Sequence, residues 1–374
     1  MTEEKKEKTA KPKKLADPST VSIDAATQEM VARAQELGVE TIFDRAVTMK
    51  ACNIGAQGTC CKNCSMGPCR LPLPKSGIEG EDTRKGLCGA TANTIAARNF
   101  IRMIAGGAAA HSDHGRCVAE VFLSAARKES DSYKIKDVDK LLQIAPHLGV
   151  ETMVEVDGKK VDRDLDEIAL EVAETALNEW GKPVGELLYM KRAPAALYEK
   201  WKKNGVLPRN IDREIVEIMH RTHMGVDQDF RNLIKQGTRA ALADGWGGSM
   251  LATDLQDVHF GTPYPVQSEA NLGVMKEDHV NIIVHGHEPV LSEVIVAVAQ
   301  SREMVDYAKS KGAKGIQLGG ICCTANEILQ RHGVPPVGTF LQQELAIITG
   351  ACDAMVVDIQ CIFQNLANVA KCFH

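Results

Sequence analysis

The segment that best indicates the fold is VNIIVHGHEPVLSEVIVAVAQSREMVDYAKSKGAKGIQLGGICC, residues 280–323. Two short apolar runs, 280–284 and 315–320, have the length of buried strands, and the segment between them is long enough for helix. A third run, AMVVDI at 354–359, follows two further helical patterns. This alternation of strand and helix predicts a Rossmann-like α/β domain with a parallel sheet over residues 261–374.

The sequence before this domain is helical in character. Apolar residues recur with i, i+3, i+4 spacing in AATQEMVARAQELGV, ANTIAARNFIRMIAGGAAAHSDHGRCVAEVFLSAAR, DLDEIALEVAETALNEWG and REIVEIMHRTHMG. We therefore expect a helical domain over residues 22–260, preceded by a flexible charged tail over residues 1–21. The predicted fold class is α + α/β, with the helical domain first and the Rossmann-like domain second.

Composition limits the classes of function. The net charge of −5 argues against a general nucleic-acid binder, and no apolar run is long enough to span a membrane. The amino terminus has no apolar core typical of a secretory signal, so we expect a reducing cytoplasm, in which disulfides do not persist. The twelve cysteines then indicate metal or redox chemistry. Three isolated ones, Cys117, Cys352 and Cys372, are expected to be small buried apolar residues.

Five cysteines lie within CNIGAQGTCCKNCSMGPCR, residues 52–70, and a sixth follows at position 88. Four of the six give the spacing C-x2-C-x4-C-x18-C, and these are Cys61, Cys64, Cys69 and Cys88. Four thiolates on a loop rich in Gly and Pro suit a [4Fe–4S] cluster, which needs one sulfur ligand for each iron. Tetrahedral zinc is the alternative, although zinc ribbons usually contain two C-x2-C pairs and only one is present.

The remaining pair, Cys52 and Cys60, is too small a ligand set for a cluster within one chain. Half a ligand set suggests a homodimer whose two-fold axis brings together two such pairs. The alternative is that both residues are spare thiols.

A second group of potential ligands follows the three predicted strands. The first strand leads to His285 and His287, the second to Cys322 and Cys323, and the third to Cys361. Loops at the carboxyl edge of a parallel sheet converge, and all five side chains are soft or borderline metal ligands. The pattern therefore predicts a metal site at this edge.

The chain resembles the nickel–iron carbon monoxide dehydrogenases of anaerobes. The resemblance extends over nearly the whole chain after the tail. It rests on CNIGAQGTCCKNCSMGPCR, GLCGATANTIAARN, GAAAHSDHG, ALADGWGGSMLATDLQDVHFGTPYPVQSEANLGV, NIIVHGHEPVLSE, GICCTANEIL and QELAIITGACDAMVVDIQC.

The resemblance implies three kinds of cluster. Cys61, Cys64, Cys69 and Cys88 match the ligands of a [4Fe–4S] relay cluster in each protomer. Cys52 and Cys60 match a pair that shares one further cluster with the partner protomer at the dimer axis. His287, Cys323 and Cys361 match three ligands of the Ni-Fe-S active-site cluster.

The resemblance also implies catalytic side chains. His111 matches a histidine beside the active-site cluster that helps to move protons, and Asp244 matches a nearby carboxylate. The family often carries four histidines at three-residue steps along one helix. Here those steps give His111, His114, Cys117 and Glu120, so half of that proton path is altered. An amphipathic helix whose two histidines face a polar seam is the structural alternative.

The implied reaction is the reversible oxidation of CO with water to CO2, two protons and two electrons. The electrons are expected to pass through the [4Fe–4S] clusters to a ferredoxin-like acceptor. An acetyl-CoA synthase or a hydrogenase is a further expected partner. The family continues through a second Rossmann-like domain with more ligands, whereas this sequence stops at NVAKCFH. It is expected to be a truncated product, a fragment or one part of a split enzyme, and to have little or no activity alone.

Two other classes of function are open at this stage. Hybrid-cluster redox enzymes also combine helices, Rossmann-like domains and an amino-terminal cysteine motif, but they lack the C-x7-CC start and the HGHEP segment. A non-catalytic iron–sulfur module for electron transfer is also compatible with the cysteine pattern, because that ligand set is complete.

Overall fold

A computed structural model of the protein describes residues 14–131 and 133–373. Residues 1–13 of the predicted tail lie outside the described residues. The contacts divide the chain into two compact units, one formed by residues 51–264 and the other by residues 14–50 together with 265–373. We call them the helical unit and the sheet unit.

The secondary structure of the described residues follows the chain in this order. The α-helices are α1 (Pro18–Val21), α2 (Ala25–Glu36), α3 (Ile42–Thr48), α4 (Asn53–Ala56), α5 (Ala92–Ala126), α6 (Val138–Ile144), α7 (Leu165–Gly181), α8 (Ala195–Lys203), α9 (Ile211–Arg221), α10 (Phe230–Ala243), α11 (Ala252–Phe260), α12 (Pro289–Ala299), α13 (Arg302–Ser310), α14 (Cys322–His332), α15 (Gln343–Ile348) and α16 (Leu366–Ala370). The strands are β1 (Cys60–Cys61), β2 (Cys69–Arg70), β3 (Met153–Val156), β4 (Lys159–Asp162), β5 (Val280–Gly286), β6 (Ile316–Ile321), β7 (Pro336–Gly338) and β8 (Ala354–Val357). Short 3₁₀ helices span Ala145–Leu148, Leu188–Arg192 and Leu272–Val274, and a π-helix spans Asp244–Leu251.

The helical unit is built around α5, a helix of 35 residues. The side chain of Thr91 caps its first turn by accepting a hydrogen bond from the backbone N–H of Thr94. Its apolar face packs on α7, α9, α10 and α11, with Phe122 and Trp180 among the fully buried side chains. Burying side chains of this size is the main stabilising contribution of such a core. None of the described helices is both long and apolar enough to cross a bilayer.

Two features of the helical unit were not predicted. β3 and β4 form an exposed antiparallel hairpin, whose Asp157 and Gly158 both have positive φ. The other feature is the π-helix, which joins α10 to α11 without a break and contains Asp244.

The sheet unit contains a four-stranded parallel sheet in the order β7-β6-β5-β8. β5, β6 and β8 correspond to the three predicted strands, and the short edge strand β7 was not predicted. α12 to α15 connect the strands, as a βαβ arrangement requires. The helices and the parallel sheet confirm the predicted α + α/β fold class.

The structure assigns residues 22–50 differently from the predicted domain boundaries. They were expected in the helical domain, yet Val31 and Ala34 of α2 are fully buried in the core of the sheet unit. Polar contacts fix the same position, since Glu344 on α15 accepts a hydrogen bond from the backbone of Ile42 at 2.7 Å and pairs with Arg45 at 2.8 Å. A helical periodicity identifies a helix but not the surface on which it packs.

The described part of the predicted tail also has structure. Residues 18–21 form α1, and the side chain of Asp17 caps it. Ala16 is 5% exposed, and its backbone N–H donates to Asp44 at 3.0 Å. Residues 16–21 are therefore structured and do not form part of a flexible tail, contrary to the prediction.

Candidate metal-cluster sites

The cysteine-rich loop is attached to the start of α5. β1 and β2 pair so that Cys61 lies opposite Cys69, and the amide of Asn99 on α5 donates to the carbonyls of Gly58 and Cys60 at 2.7 and 3.0 Å. The loop then returns through Gly86, where a side-chain carbon would lie 3.5 Å from the Cys69 sulfur. These contacts fold three distant parts of the loop around one point.

One enclosed pocket collects the four cysteines with the predicted cluster spacing. Its lining is Cys61, Asn63, Cys64, Met66, Cys69, Leu87, Cys88, Arg98 and Met224. In the described part of the chain, no three His, Cys, Asp or Glu side chains are grouped as ligands of a single metal ion. In a [4Fe–4S] cluster each cysteine binds a different iron, so four cysteines around one mostly apolar pocket fit such a cluster.

The pocket favours negative charge on the sulfur of Cys88. The pKa of the Cys88 thiol is lowered overall. Burial raises it, but hydrogen bonding from the backbone of Ala90 and the nearby Arg98 guanidinium outweigh the effect of burial. The backbone N–H of Leu87 points at the Cys69 sulfur, 3.5 Å away. The lowered pKa favours the thiolate of Cys88, and the thiolate is the form that binds iron.

Cys52 and Cys60 lie outside that pocket. Cys52 is exposed at the N-cap of α4, where hydrogen bonds from the backbone N–H groups of Gly55 and Ile54 lower its pKa. Cys60 is partly exposed. An exposed thiol that favours the thiolate is available to a ligand from outside the chain.

At the carboxyl edge of the sheet, three cysteines line one cavity of about 480 Å³. They are Cys322, Cys323 and Cys361, and the lining also includes Thr27 of α2 and Asp24, which caps that helix. Burial, followed by the proximity of Cys361 and Cys323, raises the pKa of Cys322 to about 12. Burial also raises the pKa of Cys323. The three thiols around this cavity are candidate metal ligands, and a bound cation would have to displace their protons.

Backbone geometry directs two of these cysteines into the cavity. Cys322 and Cys361 both have positive φ, 64° and 57°, a region that residues with side chains rarely adopt. The amide of Gln343 donates to the Cys361 carbonyl at 2.9 Å and accepts from the backbone N–H of Phe363 at 2.8 Å. The strain is therefore maintained by specific contacts.

The two histidines after β5 differ in their environments. His285 is fully buried and its Nε2 lies 3.1 Å from the side-chain oxygen of Gln343, and burial lowers its pKa. His287 is partly exposed and follows the strand. Asp358 accepts from the backbone N–H groups of His287 and Glu288 at 2.7 and 2.8 Å. His287 is thus fixed by its backbone, but it is not among the residues that line the cavity.

Gly286 makes the contact with Asp358 possible. A side-chain carbon at this position would lie 1.4 Å from Oδ1 of Asp358, and the residue has φ of 144°. Only glycine satisfies both conditions.

His111 and Asp244 are in direct contact in the helical unit. Nδ1 of His111 lies 2.9 Å from Oδ1 of Asp244, and this hydrogen bond raises the pKa of His111. The helices that carry these two residues pack closely. A side-chain carbon at Gly115 on α5 would lie only 2.8 Å from the Gly248 carbonyl oxygen in the π-helix. π-helical segments often occur at functional sites.

The rest of the predicted histidine path lies along α5. His114 is 5% exposed, and its Nε2 lies 3.2 Å from the amide nitrogen of Gln256. Cys117 and Glu120 are exposed. The catalytic role of the path stays a prediction.

The expectation for the three isolated cysteines was correct only in part. Cys352 is buried, 6% exposed, and burial raises its pKa to about 11. Cys117 and Cys372 are exposed, so the expectation of burial was wrong for them. Cys117 lies on the exposed side of α5, and Cys372 lies in the turn that follows α16. An isolated cysteine in a local apolar run reveals neither position.

Three side chains that contact the candidate ligands were not predicted from the sequence, namely Arg98, Gln343 and Asp358. A signal existed for Arg98, because it lies one helical turn after Ile95 and one turn before Arg102 on the apolar stripe of α5. Asp358 lies at the end of the third predicted strand, where a polar residue was also visible. Gln343 had no such signal.

Residues 59–374 match the Prismane/CO dehydrogenase family. The chain therefore belongs to this family. It is 51% identical over 355 residues to carbon monoxide dehydrogenase 1 of Methanosarcina acetivorans, in a match that covers 94% of this chain and 54% of that protein. The chain thus spans about half the length of the curated relatives it matches.

Solved structures agree with this assignment. The nickel-free crystal structure of carbon monoxide dehydrogenase from Thermococcus sp. AM4 matches with a TM-score of 0.88 at 50% identity, covering 97% of this chain and 56% of that chain. A solved acetyl-CoA synthase/carbon monoxide dehydrogenase, described with NiZn[Fe4S4] and NiNi[Fe4S4] clusters in its alpha subunits, matches with a TM-score of 0.85 at 43% identity. This second match covers 94% of this chain and 50% of that chain.

Proposed function

We propose that this chain carries metal-cluster sites of an enzyme that interconverts CO and CO2. The enzyme would oxidise CO with water to CO2, two protons and two electrons. The main support for this proposal is one pocket lined by four cysteines, in a chain 51% and 50% identical to two carbon monoxide dehydrogenases. The four residues are Cys61, Cys64, Cys69 and Cys88. A bound Ni-Fe-S cluster would supply the metal centre at which carbon and oxygen are joined.

The residues of this chain would have separate tasks. The four cysteines of the pocket would hold a [4Fe–4S] relay cluster, and Cys52 with Cys60 would hold half of a cluster shared across a homodimer. Cys323, Cys361 and His287 would ligate the active-site cluster. Support for the first two of these ligands comes from their position in one cavity, and support for His287 comes from its fixed backbone at the same edge of the sheet.

Proton transfer would depend on the pair His111 and Asp244. The Nδ1–H of His111 donates to the carboxylate, which leaves Nε2 as the ring nitrogen that takes up and releases a proton. The carboxylate stabilises the protonated ring, which supports a role for His111 as the acceptor of a proton from the reaction. His114 would extend the path along α5, with the altered positions Cys117 and Glu120 after it.

The relay cluster is tested by replacing one ligand. Anaerobically purified protein is compared with Cys64→Ser and with the control Cys372→Ser, which changes an exposed cysteine elsewhere. We expect Cys64→Ser to lose one cluster's iron and sulfide per chain, together with one component of the reduced-state EPR spectrum. The control should retain both. Stoichiometric zinc with no iron in the wild-type protein would contradict the proposal.

The reaction is tested by CO-dependent viologen reduction in strict anaerobiosis. Nickel-loaded protein is measured alone and after co-expression with the carboxyl-terminal part of a relative. We expect little activity alone, activity after co-expression, and its loss in His287→Ala. The control His279→Ala changes a histidine just before β5, at the opposite end of that strand. Robust turnover by residues 1–374 alone would show that ligands from outside this chain are dispensable.

The proposed function requires protein partners that accept electrons or use the product. Electrons would leave to a ferredoxin-like acceptor, and an acetyl-CoA synthase partner is supported by the solved complex of that name. A hydrogenase is a second candidate partner. A cytoplasmic location follows from the chemistry proposed, because clusters of this kind are assembled and kept reduced inside cells.

A further inference from the structure

Arg98 is the most unusual charged side chain of the helical unit. It is 1% exposed, which makes it one of the largest fully buried side chains in the described residues. Arginine is almost never fully buried unless an opposite charge compensates it. The question is therefore which negative charge compensates Arg98.

The protein itself supplies little compensation. One Nη atom of Arg98 donates to the Asp227 carbonyl at 3.2 Å and to the side-chain oxygen of Gln228 at 3.4 Å, both of them neutral acceptors. Nε has no hydrogen-bond partner within residues 14–131 and 133–373. The other Nη atom points at the Cys88 sulfur, 3.9 Å away.

The guanidinium also lines the pocket of the four cysteines. The rest of that lining is apolar or neutral, so Arg98 is the positive charge closest to the sulfur atoms within this pocket. A cluster bound by four thiolates is an anion, and it gains one more negative charge on reduction. Charge and hydrogen bonds near the sulfurs set the reduction potential of such clusters.

We propose that Arg98 is a positioning residue that raises the reduction potential of the cluster held by Cys61, Cys64, Cys69 and Cys88. This inference rests on the proposed function, because it requires a cluster at these cysteines. In the step concerned, one electron from a low-potential one-electron donor enters the cluster, no bond forms or breaks, and no proton moves. The fixed positive charge stabilises the reduced cluster more than the oxidised one.

The test is a potentiometric titration of the full chain, followed by EPR. The component of the spectrum that is missing in Cys64→Ser identifies the cluster. We expect Arg98→Gln to lower the equilibrium constant for one-electron reduction at least ten-fold, which equals about 59 mV. Arg98→Lys keeps the charge but loses the planar fork, so its shift should be smaller.

A matched control is present on the same helix. Arg102 lies one turn after Arg98, and its Nε donates to Thr222 at 2.8 Å. It does not line the pocket. Arg102→Gln removes the same charge from α5 and should leave the potential unchanged, whereas a shift equal to that of Arg98→Gln would overturn the proposal.

A second variant keeps Arg98 in place. Gln228 is exposed and already contacts the guanidinium, so Gln228→Glu supplies a carboxylate that pairs with it. We expect this variant to lower the potential in the same direction as Arg98→Gln. If Arg98→Gln fails to fold or to bind a cluster, the potential of Gln228→Glu alone tests the role of Arg98.

The outcomes distinguish a failure of the proposed function from a failure of the role of Arg98. Wild-type protein without an iron–sulfur cluster would overturn the proposed function and the inference with it. A cluster present with an unchanged potential in both Arg98→Gln and Gln228→Glu would overturn the inference alone.

Discussion

Nδ1 of His111 lies 2.9 Å from Oδ1 of Asp244, although the two residues are 133 positions apart in the chain. The contact joins α5 to the π-helix that lies between α10 and α11. The carboxylate raises the pKa of His111 because it stabilises the protonated ring. The relationship makes the protonation of His111 depend on Asp244.

Asp244→Asn should therefore lower the pKa of His111. The amide has nearly the same shape as the carboxylate but no charge, so it favours the protonated ring less. The measurement is an NMR titration of the histidine ring protons. Asp113→Asn is the control, because Asp113 is an exposed carboxylate close to His111 in sequence that pairs with Arg116 instead. An equal shift in both variants would show that the effect is not specific to the contact.

The same pair predicts how stability depends on pH. Because the folded-state pKa of His111 is raised, its contribution to the free energy of unfolding is fully present below the unfolded-state value of about 6.5. It is lost as the pH rises through the folded-state pKa. The stability difference between wild type and Asp244→Asn should thus shrink as the pH rises above neutrality.

Tryptophan fluorescence isolates this effect in a chain of two units. All three tryptophans, Trp180, Trp201 and Trp246, lie in the helical unit, so their signal reports its unfolding. A difference between the two proteins that stays constant from pH 5.5 to pH 9 would contradict the assignment of the raised pKa to this contact.

Much of the fold could be predicted from periodicity. The helices of the helical unit and the strands β5, β6 and β8 of the sheet each have a pattern that burial imposes on the local sequence. The exposed hairpin was missed because it has no buried face, although Asp157 and Gly158 gave a turn signal. The docking of α2 on the sheet unit was missed because Val31 and Ala34 carry no information about which core they enter.

The candidate sites could be predicted in outline. Cysteine spacing predicted that Cys61, Cys64, Cys69 and Cys88 lie together, and the four cysteines line one pocket. The contacts that control these ligands come from elsewhere. Gln343 acts on Cys361, and Asp358 acts on His287, through side chains whose sequence positions do not reveal the direction in which they point.

Asp358 gives a prediction about the loop that carries His287. Its two oxygens accept from the backbone N–H groups of His287 and Glu288, so Asp358→Ala leaves both groups without that acceptor. We expect a loss of about 1.5–3 kcal/mol in the local free energy of opening, the range for hydrogen bonds to charged groups. Hydrogen exchange of the two amides should become roughly ten- to hundred-fold faster.

The control for Asp358 is Asp353, since these two residues directly follow and directly precede the same strand, β8. Asp353 accepts from the backbone N–H of Asn281 at 2.7 Å, near the start of β5. Asp353→Ala should accelerate exchange at Asn281 and leave the amides of His287 and Glu288 unchanged. Faster exchange at His287 in both variants would mean that the strand opens as a whole and that Asp358 has no separate role.

Cys52 and Cys60 are predicted to bind a cluster that is shared between the two chains of a homodimer. Cys52 is exposed and its pKa is lowered by backbone N–H groups, while Cys60 is partly exposed, so neither thiol is buried away from a second chain. Replacing both by serine should remove one cluster's iron per dimer, measured as iron per mass by light scattering with metal analysis. The matched control replaces Cys117 and Cys372, two other exposed cysteines, and should keep the full iron content. An undiminished iron content in the Cys52 and Cys60 double variant would show that these residues are spare thiols, and a monomeric wild-type protein would contradict the shared cluster directly.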